Sequence, residues 1–122
     1  MDIRFLVDEH LRGQLWQALM WHNQRGVYPL DMERVGDSAD LPLGSTDPDI
    51  LIWAEREGRI LVSGDRKTLV GYFADHLSAS RHSPGVFLLR PSSSLPQIVD
   101  FLVAVTYASE ASEWADVWRY VP

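Results

Sequence analysis

Carboxylates stand where this chain changes direction. Asp8 and Glu9 follow the apolar stretch Ile3 to Val7, Asp47 and Asp49 bracket Pro48, and Asp65 follows RILVSG. Gathered in one place, such groups repel one another unless a proton or a cation intervenes. The chain has no cysteine, and His10, His22, His76 and His82 lack the spacing of a metal motif. Oxygen ligands therefore dominate, and Mg2+ or Mn2+ is the expected ion. Held by carboxylates at an open site, it can activate water and stabilise charge on a phosphodiester. Each acid also stands where a helix N-cap belongs, Asp47 before Pro48 most clearly. A cap contributes on the order of 1 kcal/mol with no chemistry at all. One oxygen can cap while the other binds, so both roles stay open. Arg66 and Lys67, the latter the only lysine, follow Asp65 directly. Cations at a helix start work against the helix dipole, which favours a role in contacting phosphate. Thr68 could bond a phosphate or close the first turn of its own helix. His10 could border a site built on Asp8 and Glu9.

The elements that must position these groups follow from hydrophobic spacing. Strands are expected at Ile3 to Val7, Asp31 to Val35, Arg59 to Ser63, Val86 to Leu89 and Trp118 to Val121. Helices are expected over about 10–24, from Asp47 as N-cap to Glu57, from Asp65 onward through Leu69, Phe73 and Leu77, and from Pro96 to Ala108. Gly36 to Thr46 is loop chemistry throughout. Alternating strands and helices predict an α/β fold with helices on both faces of a mainly parallel sheet of four or five strands. In such a sheet the carboxyl ends of the strands share one edge, and ligands bind there. Asp8, Asp47 and Asp65 are thus delivered to one rim, on strands ~4.8 Å apart.

Composition bounds the rest. The chain has 122 residues, 46% of them hydrophobic, which fits one domain spanning 1–122. No window approaches a membrane span and the start lacks the form of a signal peptide, so a soluble cytoplasmic protein is expected. Seventeen acids against eleven bases give a net charge of −6. That balance argues against tight, non-specific binding of nucleic acid. It is uneven, however: residues 56 to 90 hold six bases and three acids.

The blocks FLVDEHL at 5 to 11, RVGD at 34 to 37, TDPDILIWAEREGRILVSGDRKTL at 46 to 69, SPGVFLLR at 83 to 90 and WRYVP at 118 to 122 resemble, in that order, a small bacterial PIN-like family associated with toxin–antitoxin systems. The resemblance implies a three-layer α/β/α fold with an acidic pocket at the carboxyl edge of the sheet. It implies a Mg2+-dependent ribonuclease, often the toxin of a toxin–antitoxin pair, with RNA as substrate and an antitoxin protein as partner. Carried across, Asp8, Asp47 and Asp65 match the acids that hold the metal, and Asp49 sits where many relatives carry another acid. Glu9 and Asp49 are expected to support the ligands from behind. Many relatives have an acid two residues after the third, where this chain has Lys67. Lys67 or Arg66 would steady the scissile phosphate, or Lys67 would replace a ligand and weaken the site.

Two further readings stand beside this one. A PIN-like protein that has lost catalysis would act through protein contacts. A receiver-type phosphoacceptor would share the acids after the first and third strands and Arg90-Pro91 after the fourth, but this chain lacks a lysine near its last strand. The aromatic pairs Trp16/Met20 and Trp114/Trp118, and the helix at 98 to 108, apolar almost all round, suggest either core packing or a surface shared with an antitoxin or a second copy.

Overall fold

The structure, a computed structural model, describes residues 3–11 and 13–122. Five strands alternate with four helices: β1 (Arg4–Val7), α1 (Gln14–Gln24), β2 (Asp31–Arg34), α2 (Asp47–Glu57), β3 (Arg59–Ser63), α3 (Leu69–Ser78), β4 (Val86–Leu88), α4 (Leu95–Ala108) and β5 (Trp118–Tyr120). All strand pairs are parallel, in the order β2-β1-β3-β4-β5. The expected α/β architecture holds, with five strands. Among the described residues, no helix is long and apolar enough to cross a membrane.

Side chains alternate across the sheet and so build two cores. Phe5, Val7, Ile60, Val62 and Phe87 pack with Leu15 and Leu19 of α1 and Ile98, Leu102 and Val105 of α4. Leu6, Leu61, Val86 and Leu88 pack with Ile50, Leu51 and Trp53 of α2 and Leu69 and Phe73 of α3. β3 is central, and all five of its residues are buried. Phe87 stands edge-on to both Phe101 and Trp114, with ring centroids 5.1 and 5.2 Å away. Trp114 and the apolar residues of α4 are therefore drawn into the core. The exposed positions of α4 include Gln97, Asp100, Ala104, Tyr107 and Ala108.

Three helix starts differ from the sequence expectation. α1 begins at Gln14 rather than near 10, because Glu9–Leu11 forms a separate 3-10 turn and Gly13 offers no capping side chain. Arg12, within the expected helix, lies outside the described residues. α2 is capped by Thr46, whose hydroxyl accepts the Asp49 N–H at 3.4 Å. Asp47, expected as the cap, is instead the first helical residue, and its carboxyl is not used for capping. α3 begins only at Leu69 rather than at Asp65, because Asp65 first closes a turn of its own. α2 stops at Gly58 in the left-handed region (φ 69°), where a side chain would be strained. Gly85 (φ 128°) admits the Trp114 carbonyl to 2.7 Å from where a Cβ would stand, so the chain can pass into β4 only as glycine.

Candidate functional site

The strand order reverses at β1 and β3: β1 leads outward to β2, and β3 leads the other way to β4 and β5. Val7 and Val62 are register partners there. The ladder continues one step further, where the Asp8 N–H donates to the Val62 carbonyl at 3.0 Å. Asp8 is therefore fixed by the sheet itself, and it is 7% exposed. Its Oδ1 accepts the Glu9 N–H at 2.8 Å, and its Oδ2 accepts the Ser63 hydroxyl at 3.0 Å.

Ser63 links the first and third acids. While its hydroxyl donates to Asp8, its oxygen accepts the Asp65 N–H at 3.1 Å. The buried hydroxyl thus holds both strand ends in one arrangement. The sequence pattern marks Ser63 only as the last residue of a strand. The signal was present: it is the one polar residue closing an otherwise apolar run, and it is 1% exposed.

Asp65 sits in a turn of donors. Its Oδ1 accepts the N–H groups of Lys67 and Thr68, each at 3.1 Å, and its Oδ2 accepts the Thr68 hydroxyl. The Thr68 hydroxyl and amide, and then the Lys67 amide, hold its carboxyl below the usual carboxylate range. Asp65 therefore closes a turn ahead of α3 rather than capping that helix; Oδ1 is fully engaged and Oδ2 keeps one further lone pair. Thr68, expected to bond either a phosphate or the first turn of its own helix, bonds Asp65 in the turn that precedes α3. Arg66 and Lys67 are exposed on this turn.

Asp47 behaves in the opposite way. Its carboxyl is pushed up, first by burial and then by the negative charges of Asp65 and Asp8, while His10 acts against the rise. His10 likewise draws Asp65 down. Three acids from distant sequence positions and one histidine thus share an electrostatic neighbourhood at the carboxyl edge. Glu9 turns elsewhere: its Oε1 accepts the Gly44 N–H at 2.8 Å, tying down the loop that leads to Thr46 and Asp47. Asp49 is exposed and lines a hollow on the far side of that loop with Trp53 and Arg56.

The donor set suits Mg2+ or Mn2+ in type, being all carboxylate with one imidazole near it. Among the described residues, no three Asp, Glu or His side chains are grouped closely enough to hold an ion between them. One or two carboxylates with retained water are a common way to hold Mg2+, and that is the arrangement these residues fit. The Asp47 rise marks negative charge that a cation would relieve. A larger hollow of about 1140 Å³ lies at the opposite end of the sheet, against Arg4, Asp31 and Tyr107, away from this group.

Fold and site together define an α/β protein with a five-stranded parallel sheet and an acidic group at its switch point. Comparison with protein-family models, with curated proteins and with solved structures gives no match.

Proposed function

We propose that this chain is a PIN-like, metal-dependent endoribonuclease that acts in the cytoplasm as the toxin of a toxin–antitoxin pair. The observation that carries the reading is that the buried Ser63 hydroxyl joins Asp8 and the Asp65 turn at one edge of the sheet, with Asp47 near enough for both charges to add to the rise that burial causes. One or two of Asp8, Asp47 and Asp65 would hold Mg2+ or Mn2+ together with retained water, with the remaining acid adding negative charge beside it. When bound, the ion supplies Lewis-acid activation of water and stabilisation of phosphodiester charge. Ser63 keeps Asp8 and the Asp65 turn in register. Arg66 and Lys67, on the turn after Asp65, offer positive charge to a phosphate beside the acids. The paired oxygens of Asp8 and Asp65 limit both side chains to one orientation, as a preorganised site requires.

The test is Mg2+-dependent cleavage of RNA by the purified chain. Asp8→Asn and Asp65→Asn should abolish it while leaving the thermal transition cooperative; cleavage that survives both changes refutes the site. A second reading is a PIN-like protein-binding module without catalysis, favoured by the absence of any three grouped donors among the described residues. Stabilisation of the wild type by Mn2+ that is lost in Asp65→Asn argues against that reading. A receiver-type phosphoacceptor shares the strand order β2-β1-β3-β4-β5. Its acceptor would be Asp65, and attack on phosphorus through Oδ2 would compete with the Thr68 hydroxyl bound there. Lack of labelling by a small phosphodonor would exclude it.

A further inference from the structure

We propose that the groove between α3 and β5 is a track for single-stranded RNA that runs from the acidic rim along the edge of the sheet. The inference rests on the ribonuclease reading and extends it to where the substrate lies. The groove encloses about 780 Å³, with Val70, Phe73 and Leu77 on its α3 wall, Trp118 and Tyr120 on its β5 wall, and Arg90 among its lining residues.

Register brings Arg90 to the carboxyl edge of the sheet, the edge that also carries the acids. Ser63 and Leu88 are partners across β3 and β4. Asp65 lies two residues beyond the one, and Arg90 two residues beyond the other. The guanidinium of Arg90 lies 4.4 Å from the centre of the Tyr120 ring, which fixes a positive charge against an aromatic face. Tyr120 is 36% exposed and meets Trp118 edge-on at 5.3 Å. Every nucleobase has a face that can stack, so such a wall accepts a single strand of any sequence.

Charge favours a polyanion. Arg66, Lys67, Arg90 and Arg119 are exposed, and none of them is in an ion pair among the described residues. Arg34, Arg56, Arg59 and Arg81 do pair with acids. The one acid lining the groove, Asp116, is bound by His82 at 3.0 Å and by the Ser83 N–H at 2.8 Å, which offsets its charge. A peptide added as a sixth strand fits less well. The Trp118 carbonyl, at the edge of the sheet, already accepts a hydrogen bond from the Arg119 guanidinium at 3.2 Å.

The experiment is anisotropy of a fluorescein-labelled, uridine-rich single-stranded RNA titrated with the full chain in EDTA, where cleavage is suppressed. Tyr120→Ala should weaken binding about tenfold, and Tyr120→Phe should restore it. Arg90→Glu should weaken it by a similar factor and flatten its dependence on salt. Unchanged affinity in both Tyr120→Ala and Arg90→Glu, with melting curves like the wild type, overturns the track. So does a sedimentation shift from dimer to monomer in Tyr120→Ala without a change in RNA affinity, since the face would then join two copies. Wild-type cleavage of the same RNA with Mg2+ separates the two failures. Cleavage with no groove effect leaves the ribonuclease reading standing, whereas neither binding nor cleavage removes both.

Discussion

At the amino end of the sheet, charges meet partners. Arg59, at the start of the buried central strand, donates to the Phe5 carbonyl at 3.0 Å and to Asp31 at 2.9 Å, with Glu33 at 3.4 Å. Glu55 of α2 lies 3.5 Å from the Arg81 guanidinium, while the buried His76 of α3 bonds the His82 carbonyl at 2.8 Å. His82 and Asp116 pair at 3.0 Å. At the carboxyl end the acids are set against each other instead, and the cations beside them carry no counter-charge among the described residues. Both ends draw on acids and bases set around the same sheet. A half-buried charge beside like charges costs stability, and at the carboxyl end Asp47 bears that load. That asymmetry is the physical reason for seeking function at the carboxyl edge.

The comparison breaks first at Arg59. Arg59→Met should lower the unfolding free energy by about 3 kcal/mol, the low end for a broken buried pair because Asp31 is half in water. Urea denaturation measures it; a loss near zero would mean that the amino end is not held by its pairs. Ser63→Ala removes the link between Asp8 and the Asp65 turn. It should cost about 1–2 kcal/mol and reduce cleavage roughly tenfold, seen by denaturation and by rate. A purely structural serine would lower stability and leave the rate alone.

Asp47→Asn should do the reverse of an ordinary mutation. With its carboxyl pushed up, the folded state binds a proton more readily than the unfolded chain, so this group's contribution falls as pH rises through the shifted value. Removing the charge should raise the melting temperature in EDTA at pH 7 by roughly 2 °C. The same change should reduce any stabilisation by Mn2+, and scanning calorimetry with and without the ion reads both. The smallest effect is expected at the exposed His82–Asp116 pair. His82 is raised by its hydrogen bond to Asp116, so its contribution is complete below its unfolded value and fades as pH rises through the folded one. Asp116 is lowered by His82 and the Ser83 amide, so its contribution holds above its unfolded value and fades on acidification. His82→Gln should therefore remove the loss of stability that sets in as pH rises above 6.5, in melts from pH 5 to 9. A slope identical to the wild type would show the pair to be without effect.

Much of this was legible in the residues. Alternation of strand and helix patterns gave the parallel sheet, because buried strands need apolar runs and their crossovers need helices. The acids after β1 and β3 were assigned to one edge by chain direction alone. The ends of helices were less legible. Thr46 takes the cap that Asp47 was expected to fill, since hydroxyl and carboxylate compete for the same amide within one turn. Glu9 was expected to support the site from its place after Asp8, and Asp49 from the resemblance. Their directions depend on a loop whose path no local pattern specifies: Glu9 holds Gly44, and Asp49 lines a hollow with Trp53 and Arg56.

The sequence by itself determined which residues are apolar, where they recur, and hence the order and faces of the elements; burial of apolar surface enforces that pattern with little regard to detail. Only the tertiary structure decided which acids share a charge environment, that Ser63 joins two of them, and that Arg90 stands over the Tyr120 ring. Those relations depend on strand register and side-chain direction, which arise only when distant segments pack.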